Sequence, residues 1–185
     1  MSVALRMMRK LAQNNRLANL RLQTACGALS AEDFAARRTS FFPSIKATLN
    51  HILTVDWFYV DALEGGTLGV AAFAEDEPFA AVAPLMAAQA AVDERLLALV
   101  GGLTDDGLAA RVKIHRAGRI QTERADDVLM HLFMHQTHHR GQVHAMLAGS
   151  PVAPPQLDEF IVADDARFRT AELGALGWDE TKVMG

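Results

Sequence analysis

The chain has 185 residues, 50% of them hydrophobic, which is long enough to bury one substantial core. No apolar run approaches the ~18 residues that a membrane span requires. A net charge of −4 without a basic run excludes the dense cationic surface that nucleic-acid binding needs, and one Tyr and two Trp make a poor base-stacking platform. The opening MSVALRMMRKLAQNN lacks the apolar core and cleavage site of a signal peptide, and the single Cys26 has no partner for a disulfide. Both point to the cytoplasm.

In chain order, Ala4, Met8, Leu11, Ala18, Leu22, Ala25 and Leu29 recur at three- and four-residue steps, predicting a first helix over Val3 to Leu29. Asn15 interrupts this stripe and Asn19 follows one turn later, so an inter-helix hydrogen bond is expected for them. Ser30, with Asp33 three residues on, reads as the cap of a short helical turn before a loop at 37–40. Pro43 suits the first turn of a second long helix ending at Glu64 before Gly65-Gly66. Along it Ala47, His51, Val55, Phe58 and Ala62 share one side. Residues 65–81 then form a linker long enough to cross between bundle helices, with Glu75-Asp76-Glu77 as a solvated cluster.

A third helix is predicted over Val82 to Val100, stopped by Gly101-Gly102, and Thr104 caps a short turn. Val112, Ile114 and Ile120 alternate with polar residues around Ala117-Gly118, which predicts a small hairpin over 111–121. A fourth helix runs from Glu123 to Ala148, with Thr122 as its cap and Asp126 and Asp127 near its positive end. The proline-rich tail, Ser150 to Gly185, should run extended, form a helix near Asp164 to Leu176, and pack back through Trp178.

Five of the seven histidines fall in HLFMHQTHHRGQVHAML, residues 131–147. His135 and His139 are four apart, so on a helix they face one way with Cβ atoms roughly 5–6 Å apart. They stand in the stripe Val128, Leu132, His135, His139, Val143, Met146, where a bundle would normally place leucine. Burying two imidazoles without partners is unfavourable, and a shared metal ion relieves this. Two imidazoles rarely complete a site, and His51, facing inward on another helix, is the best third ligand. His131 is an outer contact or a less regular ligand. His138, His144 and His115 read as surface residues, and Gln142 either bonds a ligand imidazole or lines the core. A divalent ion on three neutral histidines keeps an open position, and this suits either water activation or thiol activation. Without an HExxH glutamate, a zincin-type protease is disfavoured.

These residues resemble the DinB/YfiT-like family of metal-dependent bundle proteins, over nearly the whole chain. HQTHHRGQ at 135–142 is similar to its most recognisable motif and LNHI at 49–52 to its first-ligand segment. NNRLANLRL at 14–22 resembles the first-helix pattern YNxWANxxL, departing at Asn14 and Leu17. PPQLDEF at 154–160 is similar to a C-terminal element of one branch. Arg140 and Gly141 belong to the motif, Arg140 to pair with a carboxylate or cover a neighbouring helix, Gly141 to let helices approach. The resemblance implies an all-α fold, a four-helix bundle with a long crossover, commonly a homodimer. One domain would span 1–185, with 150–185 as an extension packed on the bundle. The resemblance implies a divalent metal, nickel or zinc, on His51, His135 and His139, with no further catalytic or cofactor-binding residues assigned. It also implies, as in relatives using bacillithiol or mycothiol, a thiol-dependent S-transferase acting on a small electrophile. The alternatives are a metal-dependent hydrolase and a non-enzymatic, metal-binding stress-response protein.

Overall fold

The computed structural model describes all residues from Met1 to Gly185. The chain is mostly helical. Helix α1 spans Val3–Cys26, capped by the Ser2 hydroxyl, which accepts from the Leu5 amide. It ends three residues before the expected Leu29, because Gly27 closes its last turn. Helix α2, Ala31–Ala35, is capped by Ser30 as predicted. Helix α3 covers Ile45–Leu63 and begins later than Pro43, because the Ser44 hydroxyl takes the cap by accepting from the Ala47 amide. The Pro43 carbonyl is used instead to close the preceding loop, accepting from the Arg38 amide at 2.8 Å.

Residues 65–81 contain a 3₁₀ turn, Gly69–Phe73. Gly69 has φ +52°, and a Cβ there would lie 2.7 Å from the His115 carbonyl oxygen, so this turn and the hairpin that carries His115 approach closely only through glycine. Helix α4, Val82–Gly102, runs through Gly101 and Gly102, which were expected to stop it. The Arg9 guanidinium donates to the Gly101 carbonyl at 2.8 Å, partnering a group that a helix end otherwise leaves free. Helix α5, Asp105–Ala109, has its Thr104 cap.

Strands β1 (Arg111–Arg116) and β2 (Arg119–Arg124) form the predicted hairpin, extended to Arg124. Thr122 therefore pairs with Lys113 across the ladder rather than capping a helix. Helix α6, Ala125–Leu147, follows Arg124 directly. In the tail, the expected helix is split into a 3₁₀ turn, Ala163–Phe168, and helix α7, Thr170–Leu176. The break falls at Arg169, fully buried, whose guanidinium bonds Glu180 and the Glu159 and Val162 carbonyls. A short α8, Glu180–Met184, follows.

Helices α1 and α3 each pack against both α4 and α6. The main core between them includes Leu22, Ile52, Leu53, Leu85, Leu96, Leu132 and Val143. A second cluster seats the hairpin on α3 and α6 through Phe58, Val112, Ile114 and Val128. A third joins Phe160, Leu173 and Val183 to Leu17 and Ala18 of α1, with Trp178 against it as expected. No helix is long and apolar enough to cross a membrane.

Candidate metal centre

The packing of α3 on α6 brings three histidines together. His51 comes from α3, and His135 and His139 stand on successive turns of α6. The Nε2 atoms of His51 and His135 are 3.0 Å apart. Ring centroids are 4.4 Å apart for His135 and His139 and 4.7 Å for His51 and His139. One donor atom from each ring lies within 4.8 Å of the others, so the three could hold a metal ion. Phe42 packs against two of them, its ring 4.3 Å from His51 and 5.6 Å from His139.

The electrostatics favour neutral donors. Burial, with His139 alongside, pushes His51 down to about 4. Burial and the neighbouring imidazoles push His135 down to about 3. Burial also lowers His139, partly offset by its bond to Gln142. That bond, 2.8 Å between His139 Nδ1 and Gln142 Oε1, keeps the ring proton on Nδ1 and leaves the Nε2 lone pair free. His135 Nδ1 is buried with no partner, so the protein alone does not compensate this ring's desolvation. Tetrahedral zinc with nitrogens at ~2.0–2.1 Å places donors roughly 3.3–3.4 Å apart, close to the 3.0 Å seen. The donor set fits a divalent ion.

The sequence matches the DinB family over residues 1–172. The chain belongs to the DinB family. A DinB-like protein from Bacillus cereus ATCC 10987, known from its crystal structure, matches with a TM-score of 0.58 at 18% identity, over 75% of this chain and 89% of that one. At that identity the likeness speaks for the fold. No curated protein matches the chain.

The other histidines of this DinB protein stand outside the cluster. His131 is exposed, 6.2 Å from His135 between centroids, with its ring against Tyr59. His138 is exposed and faces Gln142 Nε2 at 3.0 Å. His144 lies in the last turn of α6, and His115 lines a separate cavity beside the hairpin. Gly141 does not serve close helix approach: it is exposed, and a Cβ there would meet nothing within 4 Å.

Arg140, by contrast, is buried in a polar network spanning all four long helices. Its guanidinium donates to the side-chain oxygens of Asn15, Asn19 and Gln136. Asn15 and Asn19 donate in turn to Asp93, at 3.1 and 3.0 Å. Gln89 Nε2 sits between Asp56, at 2.7 Å, and Asp93, at 3.2 Å, and Gln136 also donates to Asp56. Burial, then the charge of Asp93, raises Asp56 to about 7, while burial raises Asp93 to about 6. Burial also lowers Arg140, to about 10, against the pull of both aspartates. The inter-helix bond expected of the asparagines is present. Asp56, Gln89, Asp93 and Gln136 were not singled out from the sequence. A usable signal was there: α1, α4 and α6 each carry a polar pair four residues apart, Asn15/Asn19, Gln89/Asp93 and Gln136/Arg140.

Gln136 and Arg140 each follow a cluster histidine directly, about 100° further round the helix. That side of α6 is tied to α1 through Arg140 and to α3 through the Gln136–Asp56 bond, while the next turns His135 and His139 toward His51. Gln142 supports the centre from the other direction. Replacing Gln142 with Leu should weaken zinc binding about tenfold or more without changing helix content, as read by competition with a chromophoric chelator and by circular dichroism.

Proposed function

We propose that this protein is a metal- and thiol-dependent S-transferase that joins a low-molecular-weight thiol to a small electrophile. The observation that carries this reading is the convergence of three neutral histidine donors with no carboxylate among them. Neutral donors leave the charge of a divalent ion, nickel or zinc, uncancelled. When bound, such an ion supplies a Lewis acid that lowers the pKa of a thiol. His51, His135 and His139 would hold it, Gln142 fixes the His139 tautomer, and Phe42 limits the access of water. We read the four long helices as a four-helix bundle with residues 65–81 as the crossover, 150–185 as an extension of the same domain, and the working form as a cytoplasmic homodimer.

One observation favours the hydrolase alternative. A cavity of about 300 Å³ beside His51 has Glu75, Asp76 and Glu77 in its lining, where a base for water would be needed. All three are exposed and Glu77 is paired with Lys46 at 2.6 Å, so thiol transfer ranks first.

The decisive assay follows conjugation of low-molecular-weight thiols to a chlorodinitrobenzene electrophile. Activity should vanish on chelation and return with nickel or zinc; activity indifferent to chelation would overturn the proposal. Metal occupancy should also be unusually tolerant of acid. Protons compete with a metal only at and below the pKa of the folded, metal-free imidazole, and His51 and His135 are lowered to about 4 and about 3. Equilibrium dialysis should therefore find occupancy held as pH falls past the ordinary histidine value of ~6.5. Half-loss at ~6.5 would contradict the neutral-donor picture.

A further inference from the structure

The cavity beside His51 carries information about what approaches the centre. Its volume, about 300 Å³, lies at the small end of ligand pockets, so its occupant is compact. Phe42 and Phe73 line it with His51 and Thr54. Phe42 packs on His51, and Phe73 is held by Phe58 at 5.1 Å between centroids, so both aromatic rings are backed by the fold. The Thr54 hydroxyl donates to the His51 carbonyl at 3.1 Å and is thus already engaged.

The charge of the lining is one-sided. Glu75, Asp76 and Glu77 belong to it, and no Lys or Arg does. Lys46 neutralises Glu77 alone. Glu75 and Asp76 have no cationic partner. An acidic loop on its own is only a solvated loop. This one shares a cavity with two aromatic side chains and one of the three converging histidines, so its field falls on whatever molecule reaches them.

We infer that the small molecule received at this centre is a compact organic cation, an amine-bearing compound whose apolar body lies against Phe42 and Phe73 and whose charge faces Glu75 and Asp76. This rests on the reading that His51, His135 and His139 hold a metal to which a thiol binds. Molecules ending in a carboxylate are disfavoured by the same two acids.

The test uses cobalt-loaded protein, in which a sulfur-to-cobalt absorption band reports thiol binding directly, without turnover. Cysteamine and 3-mercaptopropionate share the thiol and differ in the charge of the tail. Their affinity ratio is measured in the wild type and in the double variant Glu75→Gln/Asp76→Asn. Any chelation by the probe's own carboxylate is common to both proteins, so a change in the ratio reads the acids alone. The preference for cysteamine should fall about three-fold or more in the variant, in the range of partly exposed ion pairs. Phe73→Ala should likewise reduce the preference for 2-phenylethanethiol over 2-mercaptoethanol about five-fold or more. A cysteamine ratio identical in the two proteins overturns the cation inference while leaving the thiol reading intact. Loaded cobalt that gives no band with any thiol overturns the thiol reading, and the inference with it.

Discussion

Arg140 is the residue on which the arrangement depends. A fully buried guanidinium is tolerable only with its donors satisfied and negative charge close by, because desolvating an ion costs several kcal/mol. Asn15, Asn19 and Gln136 accept from its Nη1 group, and the charges of Asp93 and Asp56 act on it. Those partners come from all four long helices, so the requirement translates into helix position. An apolar interface tolerates small rotations of a helix, whereas a directional hydrogen-bond network does not. Once Arg140 is fixed on Asn15 and Asn19 of α1 and Gln136 on Asp56 of α3, the preceding residues, His135 and His139, are fixed on the side that meets His51.

The histidine cluster is the complement of that network. One concentrates charge and pairs most of it within the protein, leaving Asp56 Oδ1 and Gln89 Oε1 without partners; the other gathers neutral donors. His135 Nδ1 has no partner, and two Nε2 atoms face each other at 3.0 Å. Burial holds these rings uncharged, and an uncharged imidazole presents a lone pair to a cation. The packing that buries the rings thus also leaves them able to hold a metal ion. Phe42 packs on His51, which also borders the neighbouring cavity.

The site was more legible in the sequence than the network behind it. His135 and His139 announce themselves because helical spacing is local, and His51 because an inward histidine needs a reason. Asn15 and Asn19 stood out in the same way. Asp56 did not, since its meaning lies in Gln89 and Gln136 on other helices, and no local pattern connects them. Element boundaries moved for similar reasons. Gly101 and Gly102 stay helical because Arg9, distant in sequence, reaches the Gly101 carbonyl. Thr122 is drawn into β2 by Lys113. Arg169 breaks the tail helix because its buried guanidinium takes carbonyls from the preceding loop. In each case a tertiary partner overrode a sound local preference.

The central claim is that these three histidines form a metal centre. Its most direct test is the metal content of untagged protein, wild type and His135→Ala purified side by side and analysed by plasma mass spectrometry. The account predicts near-stoichiometric nickel or zinc in the wild type and loss of it in the variant, with both proteins folded. A wild type that takes up no divalent ion even on titration, or a variant that retains it in full, would contradict the account and leave the histidines as buried polar residues of the core.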